Sequence, residues 1–266
     1  MSSYKDLVRN MRFSFSRVST YDNCKYCFYL GYIVKDDDLY LSEGNFYAEV
    51  GSFVHLILER VFKGELEMDD AAQYFIDHFD ENVFYRVKKS SVEDAKESCI
   101  QYFAEEEFEW LDGYEVVGVE MKVDLDICSY AFVGYLDLVI RDKETGEISI
   151  VDHKSARYPL KKNGDVLKNH QEEFKKHKRQ MYLYSHAVKE KYSVFPKWLM
   201  WNHFKDQKVV KIPFDIREYD ETMAWFRESV RKIEDEEEFE PTLNYFFCKN
   251  LCNFRNSCEY CQEEWK

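Results

Sequence analysis

The stretch that most constrains the fold is Gly134 to Lys154, GYLDLVIRDKETGEISIVDHK. Two runs rich in Leu, Val and Ile, Tyr135 to Arg141 and Ile148 to Lys154, flank the polar segment Lys143-Glu144-Thr145-Gly146. Its glycine can take a positive φ at no steric cost, so the spacing predicts an antiparallel hairpin. Side chains alternate across a strand, which places Ile148, Ile150, Asp152 and Lys154 on one face. Asp137 sits near the middle of the partner strand. The hairpin can therefore gather Asp137, Asp152 and Lys154 at one edge of a mostly apolar sheet. Two acids and a lysine in that arrangement can bind a hard divalent cation and steady a negative charge beside it.

The 266 residues suffice for one large domain or two small ones. Hydrophobic residues make up 45% and aromatics 17%, which supports a sizeable core and excludes a disordered chain. No run of 18 apolar residues occurs, so no membrane span is expected. The segment MSSYKDLVRNMRFSFSR has no apolar signal core, so the protein is expected not to be secreted; the expectation is a cytoplasmic protein, with a prokaryotic or phage-infected cell as a host that no residue pattern derives. In that reducing setting eight cysteines point to metal ligation rather than disulfides. The net charge of −14 counts against a protein that coats DNA but leaves room for a local basic groove.

Along the chain, residues 12 to 33 read as a short core-packed helix begun by Ser16, Ser19 or Thr20. Lys35 to Glu43 reads as a polar loop. A helix opens around Gly51, with Ser52 as its N-cap, Phe53, Leu56 and Val61 on its buried side and Leu58 on its flank. Glu67 to Glu81 and Val92 to Leu111 read as amphipathic helices, and Tyr114 to Tyr130 as a strand. In that strand Val117, Val119 and Met121 alternate with Gly118, Glu120 and Lys122. Lys154 to Arg179 is the most basic part, with nine Lys or Arg against three acids. It leads into a helix over Glu172 to Lys191. Strands are expected at Trp198 to His203 and Val209 to Phe214, and a helix at Glu221 to Glu237. The tail, from Pro241 to Lys266, carries Cys248, Cys252, Cys258 and Cys261. No internal repeat and no Pro/Gly/Ser linker interrupts the chain, so the simplest partition is one domain over 1–266.

An acid two residues before a lysine is weak on its own: Glu120-Met-Lys122, Glu173-Phe-Lys175 and Asp206-Gln-Lys208 share the pattern. The bland reading of Asp152-His153-Lys154 is an ordinary ion pair at a strand end, worth little energy. His55 shifts the balance. It follows Gly51 by four residues on a helix where Glu59 lies one turn further on. Histidine with carboxylates suits Mn²⁺ or Mg²⁺ better than Zn²⁺. Gln180 and Tyr184, four apart beside Arg179, share one helical face; alone they would be a polar helix surface.

Together these residues resemble the PD-(D/E)XK nuclease superfamily, in its RecB-like branch. That pattern orders a glycine-spaced histidine, a Gly-x-x-Asp strand, an acid-x-Lys strand and a Gln-xxx-Tyr helix. Gly51/His55, Gly134-Tyr-Leu-Asp137, Asp152-His-Lys154 and Gln180-Met-Tyr-Leu-Tyr184 supply it in order. The resemblance implies an α/β fold, a restriction-endonuclease-like core in which helices flank a mixed central sheet. The core would span 45–215, with 12–33 and 241–266 joined as a metal-cluster region. In the CRISPR-associated exonucleases and AddB-type helicase–nucleases, one cysteine precedes the core and three follow it, holding a [4Fe–4S] cluster. Cys24, within Tyr21-Asp-Asn-Cys24, and the trio Cys248, Cys252 and Cys258 match those positions. Three residues separate Cys248 from Cys252 where the family commonly has two, and Cys27 and Cys261 are extra. Thiolates suit iron–sulfur and zinc alike, so a zinc site from four of the six is the alternative.

The resemblance further implies hydrolysis of DNA phosphodiester bonds, mainly in single-stranded or end-containing DNA. Asp137 and Asp152, with His55 and the His153 backbone carbonyl, would bind Mg²⁺ or Mn²⁺. Lys154 would orient the attacking water or stabilise the phosphorane. Gln180 and Tyr184 would hold the phosphate backbone or the lysine. Glu59 and Glu120 come second, in outer-shell or second-metal roles. Roles in recombination, repair or CRISPR spacer acquisition follow, with an integrase or helicase partner; no Gly-xxxx-Gly-Lys-Ser/Thr stretch occurs that would supply a motor. The competing reading is a catalytically idle DNA-binding or assembly module with a structural iron–sulfur or zinc site.

Overall fold

The structure, a computed structural model, describes residues 4–35, 46–84, 87–250 and 252–264. Its helices in chain order are α1 (Tyr4–Arg9), α2 (Phe15–Asn23), α3 (Lys25–Phe28), α4 (Phe46–Phe62), α5 (Met68–Asn82) and α6 (Lys89–Glu105). They continue with α7 (Gln171–Tyr192), α8 (Ile216–Asp235), α9 (Tyr245–Asn250) and α10 (Glu259–Glu264). A π-helical turn, Tyr29–Val34, extends α3. The strands are β1 (Tyr114–Ile127), β2 (Tyr130–Asp142), β3 (Ile148–Lys154), β4 (Trp198–His203) and β5 (Lys208–Pro213). They form one sheet in the order β1-β2-β3-β4-β5. The β2–β3 pair is antiparallel and the β4–β5 pair is antiparallel, while β3 and β4 run parallel. A parallel neighbour needs a crossover, and α7 supplies it. The result is the mixed sheet with flanking helices expected for the α/β core.

The chain divides into two compact units. One comprises Phe46–Val123 and Gly134–Ile216 and contains the central sheet. Every residue of β3 but Lys154 is buried, as in a central strand covered on both faces, so Ser149, Asp152 and His153 are buried polar groups in the sheet. A second core in this unit is built where α4 packs on α5 and α6, through Phe46, Val50, Phe53, Ile57, Phe75, Phe79, Cys99 and Tyr102. Each such side chain contributes on the order of 2 kcal/mol by leaving water.

The other unit comprises 1–45, 124–133 and 217–266. Phe13 hydrogen-bonds Ala131 and Val133 through its backbone, and its ring and that of Phe132 pack edge-on against Phe226 of α8. Cys24, Cys27, Leu30, Cys252, Phe254 and Cys258 form its own buried cluster.

Several local expectations need correction. The helix in residues 12–33 is capped by Ser14, whose hydroxyl accepts from the Arg17 amide; Ser16, Ser19 and Thr20 are already helical, and Thr20 turns back onto the Ser16 carbonyl. Likewise α4 starts at Phe46, so Ser52 lies mid-helix and caps nothing. That earlier start sets the buried stripe through Phe53, Val54, Ile57 and Leu58. Leu58 is fully buried and Leu56 exposed, the reverse of the expectation. The helix over Val92 to Leu111 runs instead over Lys89–Glu105, then breaks into an extended residue, Glu106, and a 3₁₀ turn, Glu109–Leu111. The loop Lys35 to Glu43 lies outside the described residues except for Lys35.

Candidate active site

The β2–β3 register pairs Leu138 with Val151, so one rung further on Asp137 stands opposite Asp152. The pleat sends Asp152 and Lys154 to one face and turns the His153 ring to the other. That ring stacks on Phe62 at 5.9 Å, and its Nδ1 lies 3.1 Å from the Asn202 amide. The His153 backbone stays with the acids, its amide donating to Asp137 Oδ2 at 2.6 Å. Lys154 Nζ contacts Asp152 Oδ2 at 2.7 Å and donates to Gln180 Oε1 at 2.9 Å. Gln180 in turn donates to the Tyr184 hydroxyl at 3.5 Å. The helical pair on α7 is thus a brace for the lysine.

Gly134 has a steric reason to be there. A Cβ at this position would stand 2.6 Å from Tyr184 Cε1, so only glycine lets the tyrosine ring lie against β2. From α4, His55 brings Nδ1 to 3.5 Å from Asp137 Oδ2 and hydrogen-bonds the His153 carbonyl. Glu59, one turn on, is paired with Lys63. Gly51, His55, Glu59, Glu120, Asp137, Asp152, Lys154 and Gln180 all line one open cleft of about 610 Å³.

Glu120 occupies a more central place than its sequence rank. Its carboxylate and ligand atoms of His55 and Asp137 all lie within 4.8 Å of one another, the one such group among the described residues. Asp152 is instead engaged by Lys154. Glu120 reaches the site because its φ is +46°, a left-handed residue inside a strand. This costs roughly 1–2 kcal/mol and re-aims the side chain as a bulge does. The alternation of Val117, Val119 and Met121 with Gly118 and Glu120 carries the polar face, but not the kink. Glu173 and His177 of α7 also line the cleft and were not anticipated. The spacing 177, 180, 184, one helical face, was the available signal.

The electrostatics are those of crowded acids. Burial, then the Asp152 charge, pushes the Asp137 carboxyl up to about 8 despite the His153 amide and Lys154. Burial and Asp137 push Glu120 up to about 7. His55 is held below the ordinary histidine value, chiefly by burial, and so stays neutral and able to ligate.

A family model of the PD-(D/E)XK nuclease superfamily matches residues 12–259. The chain belongs to the PD-(D/E)XK nuclease superfamily. No curated protein is significantly similar to it. Membership in this superfamily supports a hydrolytic, metal-dependent nuclease that acts on nucleic acid. The donor set fits a divalent cation: one neutral imidazole and clustered carboxyl groups that burial, then their mutual repulsion, keeps protonated near neutral pH. His55, Glu120 and Asp137 would hold the ion, with Asp152 beside them. Such an ion lowers the pKa of a bound water and neutralises a phosphate.

The second constellation lies in the other unit. Cys24, Cys27, Cys248, Cys252 and Cys258 are buried and Cys261 half-buried, all as free thiols. Cys27 Sγ lies 3.2 Å from Cys252 Sγ and also hydrogen-bonds Cys24. Its hydrogen bond pulls the Cys24 thiol down to about 6, against burial, and lowers Cys252, while Cys27 itself is raised. Cys261 is hydrogen-bonded to Cys248 and Cys258. All four cysteines expected as ligands, and the two extra ones, therefore belong to two linked triplets. Among the described residues no helix is long and apolar enough to cross a membrane.

Proposed function

We propose that the protein is a Mg²⁺- or Mn²⁺-dependent DNA exonuclease that acts on single-stranded or unwound ends in recombination, repair or CRISPR spacer acquisition. The carrying observation is the convergence of His55, Glu120, Asp137, Asp152, Lys154 and Gln180 on one cleft, with Lys154 Nζ held between Asp152 and Gln180. Hydrolysis needs a nucleophilic water, an in-line phosphate and compensation for the charge that grows on it. Lys154, fixed at both sides, orients the water or meets the phosphorane charge. Asp152 keeps that ammonium in place; Gln180 and Tyr184 stop it from swinging out.

Contact with a nucleic-acid backbone is supported by the basic segment after β3, where Lys161 and Lys162 are exposed. For the cysteines, a [4Fe–4S] cluster held by Cys24, Cys248, Cys252 and Cys258 is the reading. The reading follows the resemblance, with one cysteine before the core and three after it.

The test is cleavage of end-labelled single- and double-stranded DNA by anaerobically prepared protein. It is run with Mn²⁺, with Mg²⁺ and with a chelator, beside iron and zinc analysis. Loss of label as mononucleotides, faster from single strands and abolished by chelator, is expected. Internal cuts alone would overturn the exonuclease reading, and cleavage that survives in Asp152→Ala and Lys154→Ala would remove the site.

A further inference from the structure

The cleft contains one conspicuous group that the proposed chemistry leaves idle, the imidazole of His177. It stands on α7 one turn before Gln180, on the helix face that carries Tyr184. It lines the cleft with Lys154 and the acids. Its Nδ1 is buried without a hydrogen-bond partner. A buried unpaired N–H is rarer and costlier than an unpaired acceptor, so the ring proton belongs on Nε2, the nitrogen on the open side. The ring is also kept neutral. Burial first, then Lys154, His203 and His170, pull it down to about 3, so it carries its single N–H through the whole physiological range.

The cleft needs such a donor. Among the described residues that line it, Glu59, Glu120, Asp137, Asp152 and Glu173 face one cation, Lys154, with Lys63 pairing Glu59 from outside the lining. An incoming phosphodiester brings negative charge to a cleft lined mainly by acidic groups. A bound metal ion neutralises the inner acids; it does not hold the strand on the α7 side.

Building on the nuclease reading, we propose that His177 is a substrate-contacting residue, donating from Nε2 to a phosphate oxygen of the strand seated along α7 in the cleft. Because the donor is neutral, the contact adds binding without releasing a counterion, and it sets the strand's register relative to Lys154.

The test compares His177→Phe, which keeps a planar ring and removes the donor, with His177→Gln, whose amide stands near the position of Nε2. DNA affinity is read by anisotropy of a fluorescent oligonucleotide in Ca²⁺, and cleavage in Mn²⁺. His177→Phe is expected to weaken affinity and raise KM by about tenfold to a hundredfold, the worth of one hydrogen bond to a charged group. Its kcat, Mn²⁺ affinity, melting temperature and slope of log affinity against log salt stay as in the wild type. His177→Gln is expected to stay within about threefold of wild type. Equal losses in both variants, a loss of kcat without KM, or no loss in His177→Phe would overturn the contact. A wild-type chain that binds DNA but fails to cleave it would sink the nuclease reading instead, and the binding comparison would still decide His177.

Discussion

The two constellations of this molecule are assembled in opposite ways. The carboxylate cleft is positioned by long elements: a sheet register, the 17-residue helix α4 and the 22-residue helix α7. Its side chains already hold one another at hydrogen-bonding distance. The cysteine region is assembled from helices of four to nine residues, α2, α3, α9 and α10. Helices so short have little stability of their own in water. A scaffold that is rigid without its ion yields a site whose ligands can be exchanged. A region whose thiols are its main shared core depends on what those thiols bind.

The sharpest way to break this contrast is to strike the cleft and watch the cysteines. Asp152→Ala or Lys154→Ala should lower cleavage by about a thousandfold or more while any iron that the cysteines hold, and its visible absorbance, stays unchanged. The reverse strike is Cys252→Ser, which removes a sulfur that contacts Cys27 and lies in the buried cluster. It should empty the cysteine site and lower the melting temperature by about 5 °C or more. The Mn²⁺ affinity of the cleft, followed by paramagnetic titration, should hold; a collapse of both sites together would show that they are not independent.

Gly134→Ala is a subtler cut. The new Cβ would displace Tyr184, then Gln180, then the brace on Lys154. A loss of cleavage of about tenfold to a hundredfold is expected with DNA affinity little changed. Metal binding should depend on pH with a definite sign. With Asp137 raised to about 8 and Glu120 to about 7, the metal-free cleft holds protons that a cation must expel. Mn²⁺ affinity therefore weakens as pH falls from 8 to 6, by about tenfold per unit for each proton displaced. The same shift means that the folded, metal-free protein binds protons that the unfolded chain has released. These groups thus lose stability as pH rises toward 8. A metal affinity flat across that range would contradict the crowded-acid picture. The smallest effect belongs to the exposed lysines: Lys161→Ala with Lys162→Ala should reduce the salt slope of single-stranded DNA binding by about 1.4.

Much of this was legible in the chain because it is local. The hairpin, the limits of β3 and β4, and the four ordered motifs follow from alternation, a glycine turn and helical spacing. Those are properties of a few neighbouring residues. The cap at Ser14 rather than Ser16, and the reversal of Leu56 and Leu58, were not legible. Both depend on where a helix starts, and that is set by what it packs against. Glu120 is the clearest case. Its place beside His55 and Asp137 needs a left-handed residue in the middle of a strand, which no pattern of hydrophobicity encodes.

By itself, then, the sequence determined which ionisable side chains stand at motif spacing and in what order, since residue type and short-range periodicity are written directly in it. Only the tertiary structure decided which acids stand together, that Gly134 exists to admit Tyr184, and that His177 faces the cleft. Distances between residues far apart in the chain are fixed by packing, and packing belongs to the folded whole.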